Sequence, residues 1–370
     1  MSTPRLCVSE RVERLVPYQP GKPIETVQRE LGLSGPIIKL ASNENPLGPS
    51  PKALLALQEA LTQLALYPDG GSFALREAVS TALGVSGDQL LFGNGSDEVI
   101  HMLGLTFLEP CDEIVVGEPT FSLYESAATL AGATTVKVPL TSGDLKHDAA
   151  AMASAYTDKT RLVFIANPHN PTGSWVDRAA IDILLATLPP RAFLVLDEAY
   201  IEYVEDAEFP RAVDYLKQGA PIIGLRTFSK LYGLAGLRVG YAVASPDVVH
   251  LMNQTRSPFN VNLAAQKAAV AALGDLEFVE LTRRTNEAGM HQLTAGAEAL
   301  GCSVVPSKAN FLLIETGRPC QAMFQALLKR GVIVRAFGSL PTMLRVTVGT
   351  ESQNSIFLAA LKEAMDEVSV

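Results

Sequence analysis

The chain has 370 residues, 48% of them hydrophobic and 19% charged, which is enough apolar material for a large core and for more than one domain. Charge is spread out with no low-complexity tract, so extensive disorder is excluded. A formal net charge of −9 argues against nucleic-acid binding as the main role, yet leaves room for a local basic pocket around an anionic substrate.

Cys7, Cys111, Cys302 and Cys320 lie far apart, so neither a disulfide framework nor a zinc site is indicated. His101, His147, His169, His250 and His291 are equally scattered, and no metal is expected. No apolar core follows a basic start, and no run of about 18 apolar residues occurs. A cytoplasmic protein with reduced thiols, no signal peptide and no membrane span is the expectation.

The first stretch carries Pro4, Pro17, Pro20 and Pro23 and reads as an arm over 1–35 rather than a core segment. From Pro36 onward short apolar runs alternate with amphipathic ones. Ile37–Leu40, Gln89–Phe92, Ile114–Val116, Leu162–Ala166, Phe193–Leu196, Ile222–Leu225 and Val239–Ala244 read as strands, several of them covered on both faces. Lys52–Leu66, Ser96–Leu108 and Ala179–Leu188 have apolar residues at helical spacing. This alternation predicts an α/β domain over 36–270 with a mostly parallel sheet between helices. The texture then changes. Leu263–Leu273 and Glu277–Leu300 read as helices, followed by strand-like Asn310–Ile314, a helix Cys320–Arg330, strands Val332–Arg335 and Leu344–Val348, and a closing helix Ser352–Val368. A smaller α+β domain over 271–370 is expected.

Four strand ends carry chemistry. Gly93-Asn94-Gly95-Ser96-Asp97-Glu98 opens a helix, and a phosphate could sit on the amides of Ser96 and Asp97. The plain alternative is Ser96 as a helix cap, with two acids favouring the dipole. Ala166-Asn-Pro-His-Asn170-Pro-Thr-Gly173 is a rigid loop that can hold the Asn170 amide at a ligand oxygen, or is an ordinary turn. Asp197, at the end of Leu194-Val-Leu196, can keep a ring nitrogen protonated, with Tyr200 nearby; the alternatives are a helix cap and a core aromatic. Lys230 follows the strand Ile222–Leu225, with Ser229 before it and Arg238 after it. Arg238 supplies charge for a phosphate and lowers the lysine pKa by like-charge repulsion, so that the amine can form a Schiff base with an aldehyde cofactor. A solvated surface lysine is the bland alternative.

In the order cradle, Asn170, Asp197, Lys230, Arg238, the chain resembles the fold type I aminotransferases that use pyridoxal 5'-phosphate. The motifs that carry it are Asn167-Pro-His-Asn-Pro-Thr-Gly173, Asp197-Glu-Ala-Tyr200 and Ser229-Lys-Leu-Tyr-Gly-Leu-Ala-Gly-Leu-Arg238, and the match spans nearly the whole chain. Val16-Pro-Tyr18, Leu40-Ala-Ser-Asn-Glu-Asn-Pro-Leu-Gly48, Tyr67-Pro-Asp69, Asp197-Glu-Ala-Tyr-Ile-Glu202 and Leu344-Arg-Val-Thr-Val-Gly-Thr350 are most similar to the histidinol-phosphate aminotransferases within that family.

Several roles are implied by the resemblance alone. Lys230 carries the cofactor and moves the proton, and Asp197 holds the pyridinium proton. Asn170 and Tyr200 bond the ring hydroxyl oxygen, and Phe121 stacks on the ring where relatives often carry Tyr. Ser96, Asp97, Ser229 and Arg238 bind the cofactor phosphate. Tyr67 reaches the cofactor of a neighbouring subunit, which implies a homodimer. Asn43 and Arg345 bind substrate, Arg345 as a fork on a carboxylate. Arg335 with Tyr18 takes the substrate phosphate, although the segment from Arg335 to Arg345 is short for the family. Read as residues alone, both arginines would be surface charges. Cys111 stands where relatives have a turn glycine and His169 where Asn or Gly is common; neither change touches a catalytic role directly.

The expected reaction exchanges an amino group between L-histidinol phosphate and 2-oxoglutarate, giving imidazole acetol phosphate and L-glutamate in histidine biosynthesis. An aromatic amino acid aminotransferase is the neighbouring alternative. A phosphothreonine-type decarboxylase and a non-catalytic regulatory domain are alternatives of other classes. The second of these is disfavoured by the lack of a basic or helix-turn-helix extension. The expected partners are small molecules and a second copy of the chain, with no nucleic acid or membrane.

Overall fold

The computed structural model describes residues 8–17, 21–32 and 36–369; Pro4, Cys7, Tyr18 and Pro20 lie outside them. Its strands in chain order are β1 (Ile38–Lys39), β2 (Leu90–Gly93), β3 (Glu113–Glu118), β4 (Thr134–Pro139), β5 (Thr160–Ala166), β6 (Phe193–Asp197), β7 (Ile222–Thr227), β8 (Gly240–Val243), β9 (Ser303–Val305), β10 (Phe311–Glu315), β11 (Val332–Ile333), β12 (Arg335–Phe337) and β13 (Leu340–Thr347). Seven of them form the main sheet in the order β2-β8-β7-β6-β5-β3-β4. Its pairs are parallel except those of β8, which runs against both β2 and β7.

Alternation along the strands divides the core between the two faces of this sheet. Val163, Ile165, Leu194 and Leu196 join one cluster, with Leu75, Val79 and Ala268 from flanking helices. Leu162, Phe164, Val195 and Ile223 join the other, with Val99, Leu103 and Tyr124. Both faces are dry, which is why these strands are continuously apolar in sequence. Several helices start at side-chain caps. Ser50 accepts from the Ala53 amide at 3.1 Å, with Pro51 beginning the helix Pro51–Leu61. That helix ends well short of the expected Leu66.

A second sheet, β12-β13-β10-β9, is antiparallel throughout. It packs its own cluster, including Leu312, Ile314 and Val346, against the helices Leu276–Ala299, Cys320–Lys329 and Glu351–Glu367. The early strand β1 pairs with β11, and Ile38 and Leu40 join this C-terminal cluster instead of the main sheet. The expectation for the first residues also changes at one point. Val27, in the helix Ile24–Leu31, is fully buried against Ala41, Leu328 and Ile333. Burial of one valine contributes about 1.5 kcal/mol or more, enough to pin this part of the arm. Among the described residues no helix is long and apolar enough to cross a membrane.

Candidate active site

Strands β5 and β6 end level, with Ala166 opposite Asp197, and β7 runs on to Thr227, past Leu225, the partner of Asp197. The segments leaving these ends therefore meet at one edge, where parallel sheets form ligand crevices. A cavity of about 560 Å³ opens there. Ser96, Asp97, Phe121, Asn170, Asp197, Tyr200, Ser229, Lys230, Arg238, Asn43 and Arg345 all line it. Eleven residues from distant parts of the sequence thus come together as expected. Tyr67 does not join them within one chain. It is 83% exposed and stacks on Phe259 with ring centres 4.8 Å apart.

Lys230 Nζ donates to the Ser42 carbonyl at 3.1 Å and lies 5.7 Å from the Tyr200 ring centre. Burial lowers its pKa to about 8, aided by the charge of Arg345. The expected agent, Arg238, contributes less, and the Asp97 carboxylate with which it pairs at 3.0 Å pulls the other way. The lysine is thus partly neutral near pH 8, as Schiff-base chemistry needs.

Asp197 is pushed up to about 6 by burial, against the opposing pull of its hydrogen bonds. Tyr124 donates to its Oδ2 at 2.5 Å, and the Ala199 amide donates to its Oδ1 at 3.1 Å. Burial and the adjacent carboxylate raise the Tyr124 phenol well above its ordinary range, so it stays a donor. Sequence reasoning missed Tyr124, whose link to Asp197 spans 73 positions and leaves no local signal. It also missed the ion pair one layer below. Glu198 is fully buried, accepts from Arg226 Nε at 2.7 Å and from the Ala212 amide at 2.6 Å, and so ties the end of β6 to β7.

The anion end is built by backbone proximity. The helix Gly95–Phe107 is preceded by Asn94, so Ser96 sits inside the first turn and is not the cap it was weighed as. Its amide and that of Asp97 fall among those without an intrahelical partner. Gly95 has a φ of +80°, and a Cβ there would lie 2.6 Å from Arg238 Nη2. Only glycine lets that guanidinium approach the turn. A Cβ on Gly240 would likewise meet the Ser96 amide nitrogen at 2.5 Å.

Asn43, with a left-handed φ of 56°, donates through Nδ2 to the Tyr200 hydroxyl at 2.8 Å. Arg345 is buried, against the surface reading of its strand pattern. Its Nη1 donates to Asn170 Oδ1 at 2.5 Å and its Nη2 to the Ala41 carbonyl at 2.7 Å. The short segment between the two arginines is a tight hairpin that sets Arg335 directly opposite Arg345. Arg335 lines a second chamber of about 470 Å³, which shares Phe121, Asn170 and Arg345 with the first. Arg14 to Pro17 of the arm border it; Tyr18 lies outside the described residues.

An amine and an acid at one edge of a mixed seven-stranded sheet, beside an anion cradle, define a class. Residues 35–361 match the family Aminotransferase class I and II, and the chain belongs to it. Among its relatives, the histidinol-phosphate aminotransferase of Moorella thermoacetica is 51% identical over 360 residues, covering 96% of this chain and 92% of that one. The histidinol-phosphate aminotransferase of Methylobacillus flagellatus is 48% identical, covering 96% of both chains. The solved histidinol-phosphate aminotransferase from Sinorhizobium meliloti, in complex with pyridoxal-5'-phosphate, matches with a TM-score of 0.89 at 26% identity over 99% of each chain. An aspartate aminotransferase from Thermus thermophilus with maleate shares the fold, with a TM-score of 0.81 at 22% identity and 97% of this chain covered. The expected fold type I architecture and aminotransferase class both stand.

Proposed function

We propose that this chain is a pyridoxal 5'-phosphate-dependent transaminase that takes the amino group of L-histidinol phosphate to 2-oxoglutarate, a step of histidine biosynthesis. The observation that carries the reading is the pair of joined chambers, one holding Lys230 and Asp197 and the other bordered by Arg335. The names of the relatives support the substrate.

The donor set fits the cofactor. A buried acid, a depressed amine, an aromatic face and an arginine beside a helix N-terminus share one cavity of suitable size. When bound, pyridoxal phosphate supplies an electron sink for the bond broken at the substrate carbon. Arg238, Ser229 and the amides of Ser96 and Asp97 hold its phosphate. Asp197, ionised, keeps a proton on the ring nitrogen. Asn170 and Tyr200 bond the ring hydroxyl oxygen, and Phe121 covers the ring. Lys230 is the amine that holds the cofactor and then moves the proton from the substrate carbon.

Arg345 takes the α-carboxylate of glutamate. Histidinol phosphate has no carboxylate, so its charged end falls to Arg335 and Tyr18 in the outer chamber. Asn43 orients Tyr200 beneath the substrate. Two copies of the chain form the working enzyme, each lending Tyr67 to the other's cofactor phosphate; the exposed ring of Tyr67, preceded by exposed Leu61, Leu64 and Leu66, supports this. A cytoplasmic location belongs to the same reading. The chain divides into an arm, a cofactor-binding unit and a smaller unit over 271–370, and the pairing of β1 favours moving that strand to the last.

The test is a steady-state comparison of histidinol phosphate, phenylalanine, tyrosine and O-phosphothreonine with 2-oxoglutarate. The phosphorylated amino alcohol is expected to have the highest kcat/KM. A preference for phenylalanine shifts the reading to an aromatic aminotransferase, and amine release without glutamate shifts it to a decarboxylase. Arg335→Ala is expected to lower kcat/KM for histidinol phosphate about 10- to 100-fold and for phenylalanine only slightly. Equal losses remove Arg335 from substrate recognition.

A further inference from the structure

His169 is fully buried in the loop between Pro168 and Asn170, and it occupies a position whose side chain the mechanism above does not use. Its ring Nδ1 is 2.8 Å from Thr172 Oγ1, and its Nε2 is 3.3 Å from Thr120 Oγ1. Behind Thr172, Ser174 Oγ donates to the Leu145 carbonyl at 2.7 Å and lies 2.7 Å from Thr172 Oγ1, which is itself 3.2 Å from that carbonyl. A neutral imidazole has one N–H donor and one lone-pair nitrogen, and each faces a hydroxyl that can donate or accept, so the ring bridges the two threonines in either tautomer.

The ring is locked in place. The His147 ring packs edge-on against His169, with centres 4.4 Å apart. His147 is itself seated where a Cβ on Gly117 would be 2.5 Å from its Nδ1. Burial and the second imidazole hold His169 well below its ordinary pKa, so the ring stays neutral, with one nitrogen donating and the other accepting. Thr120 precedes Phe121, and His169 precedes Asn170. Both of those neighbours line the main cavity.

We infer that His169 is a positioning residue: its neutral ring bridges the Thr120 segment to the Thr172 turn and so fixes the spacing between the Phe121 face and the Asn170 amide across the cofactor. The inference rests on the cofactor reading given above. The bridge also reaches Arg345, which donates to Asn170 Oδ1.

Asparagine can replace Nδ1 but falls short of Thr120, whereas glutamine reaches the Nε2 position. H169N, H169Q, T120V and the H169N/T120V pair are therefore compared as full-length apo proteins titrated with pyridoxal 5'-phosphate, with visible circular dichroism of the loaded forms. H169N and T120V are each expected to raise Kd roughly five- to tenfold and weaken the visible band, as loss of one hydrogen bond predicts. The double variant is expected to be no worse than the worse single one, and H169Q to stay within about threefold of wild type. Wild-type binding by H169N, multiplied losses in the double variant, or an H169Q as poor as H169N overturns the inference. Should H169N fail to fold, the isosteric T120V carries the same test, and unchanged Kd and circular dichroism there overturn it. A wild-type protein that binds no pyridoxal phosphate overturns the cofactor reading itself, and this inference with it.

Discussion

The acid beneath the proposed cofactor is held at a cost that the cofactor reverses. Asp197 is at about 6 in the folded chain, above the ordinary 3.8. Between those values the folded state binds more protons than the unfolded one, so stability falls as pH rises through the window and levels off above it. A neutral Asp197→Asn side chain escapes this penalty. We expect apo D197N to unfold at a higher temperature than apo wild type near pH 7.5, by at most about 3 kcal/mol. The advantage shrinks as pH falls through this window and is gone below about pH 3, where the wild-type carboxyl is protonated in both states. With pyridoxal phosphate bound the order inverts, because the carboxylate then has a cation to pair with. Thermal melts of apo and loaded forms across this range check both signs; an apo D197N no more stable than wild type at neutral pH removes the penalty argued here. Lys230→Ala is expected to abolish turnover and the absorbance of lysine-linked cofactor, and a variant with wild-type kcat ends its assignment. These two residues were legible because each sets a charge at or just beyond the end of an apolar strand, a local contradiction that marks function. Tyr124 was not legible, since a tyrosine in a helix reads as core until the fold brings it to Asp197. Arg345 was legible only through resemblance, because a charge on a strand does not declare which face is buried.

Among the elements, β8 comes very close to the first turn of the helix Gly95–Phe107. Gly240 opens β8 with the Ser96 amide so near that a Cβ would lie at 2.5 Å, with the Gly95 carbonyl carbon at 2.8 Å and the Arg226 carbonyl oxygen at 2.9 Å. All three obstacles are backbone, so no side chain can yield. Gly240→Ala is expected to cost about 1–3 kcal/mol of stability and to displace the Ser96 amide. Weaker binding of pyridoxal phosphate should accompany the lower Tm, measured by titration of the apo protein. A variant with lowered Tm and unchanged Kd separates the turn from the phosphate site. The strands β5, β6 and β7 were legible because burial on both faces makes them continuously apolar. The edge strand β4, Thr134-Thr-Val-Lys-Val-Pro139, was not, since it is mostly half-buried or exposed and its polar residues hide the period. The helix Phe73–Leu83 was missed as well, with only Leu75 and Val79 of its side chains buried. Strand β1 was legible as the apolar run Ile37–Leu40, but its pairing was not, since its partner lies almost 300 positions away, beyond any local pattern. Cys111 is a legible exception: its φ of +78° is the strain that a turn glycine would avoid.

At the scale of the whole molecule, the proposed shared site draws every residue but Tyr67 from one chain. Every cavity-lining candidate meets at the edge of the main sheet, but Tyr67 points its 83%-exposed ring elsewhere, beside Leu66 at 69% and after Leu61 at 63%. Isolated exposed leucines are unremarkable in a monomer, and replacing them there changes stability by less than about 0.5 kcal/mol. At the centre of a subunit interface the same change leaves buried charge without a partner. L61D/L66D therefore discriminates between the two states. The wild-type chain is expected to sediment at twice its 39.5 kDa mass and the variant at the single mass, with weaker pyridoxal phosphate binding because the neighbour's Tyr67 is withdrawn. Tyr67→Phe, which keeps the ring and deletes the hydroxyl, should leave the dimer intact and reproduce part of that loss, roughly five- to tenfold in Kd. A wild-type chain that sediments as a monomer while turning over substrate refutes the shared site. A dimeric Tyr67→Phe with unaltered affinity refutes only the role of its hydroxyl, because the interface and the cofactor contact are then separable properties of the same surface.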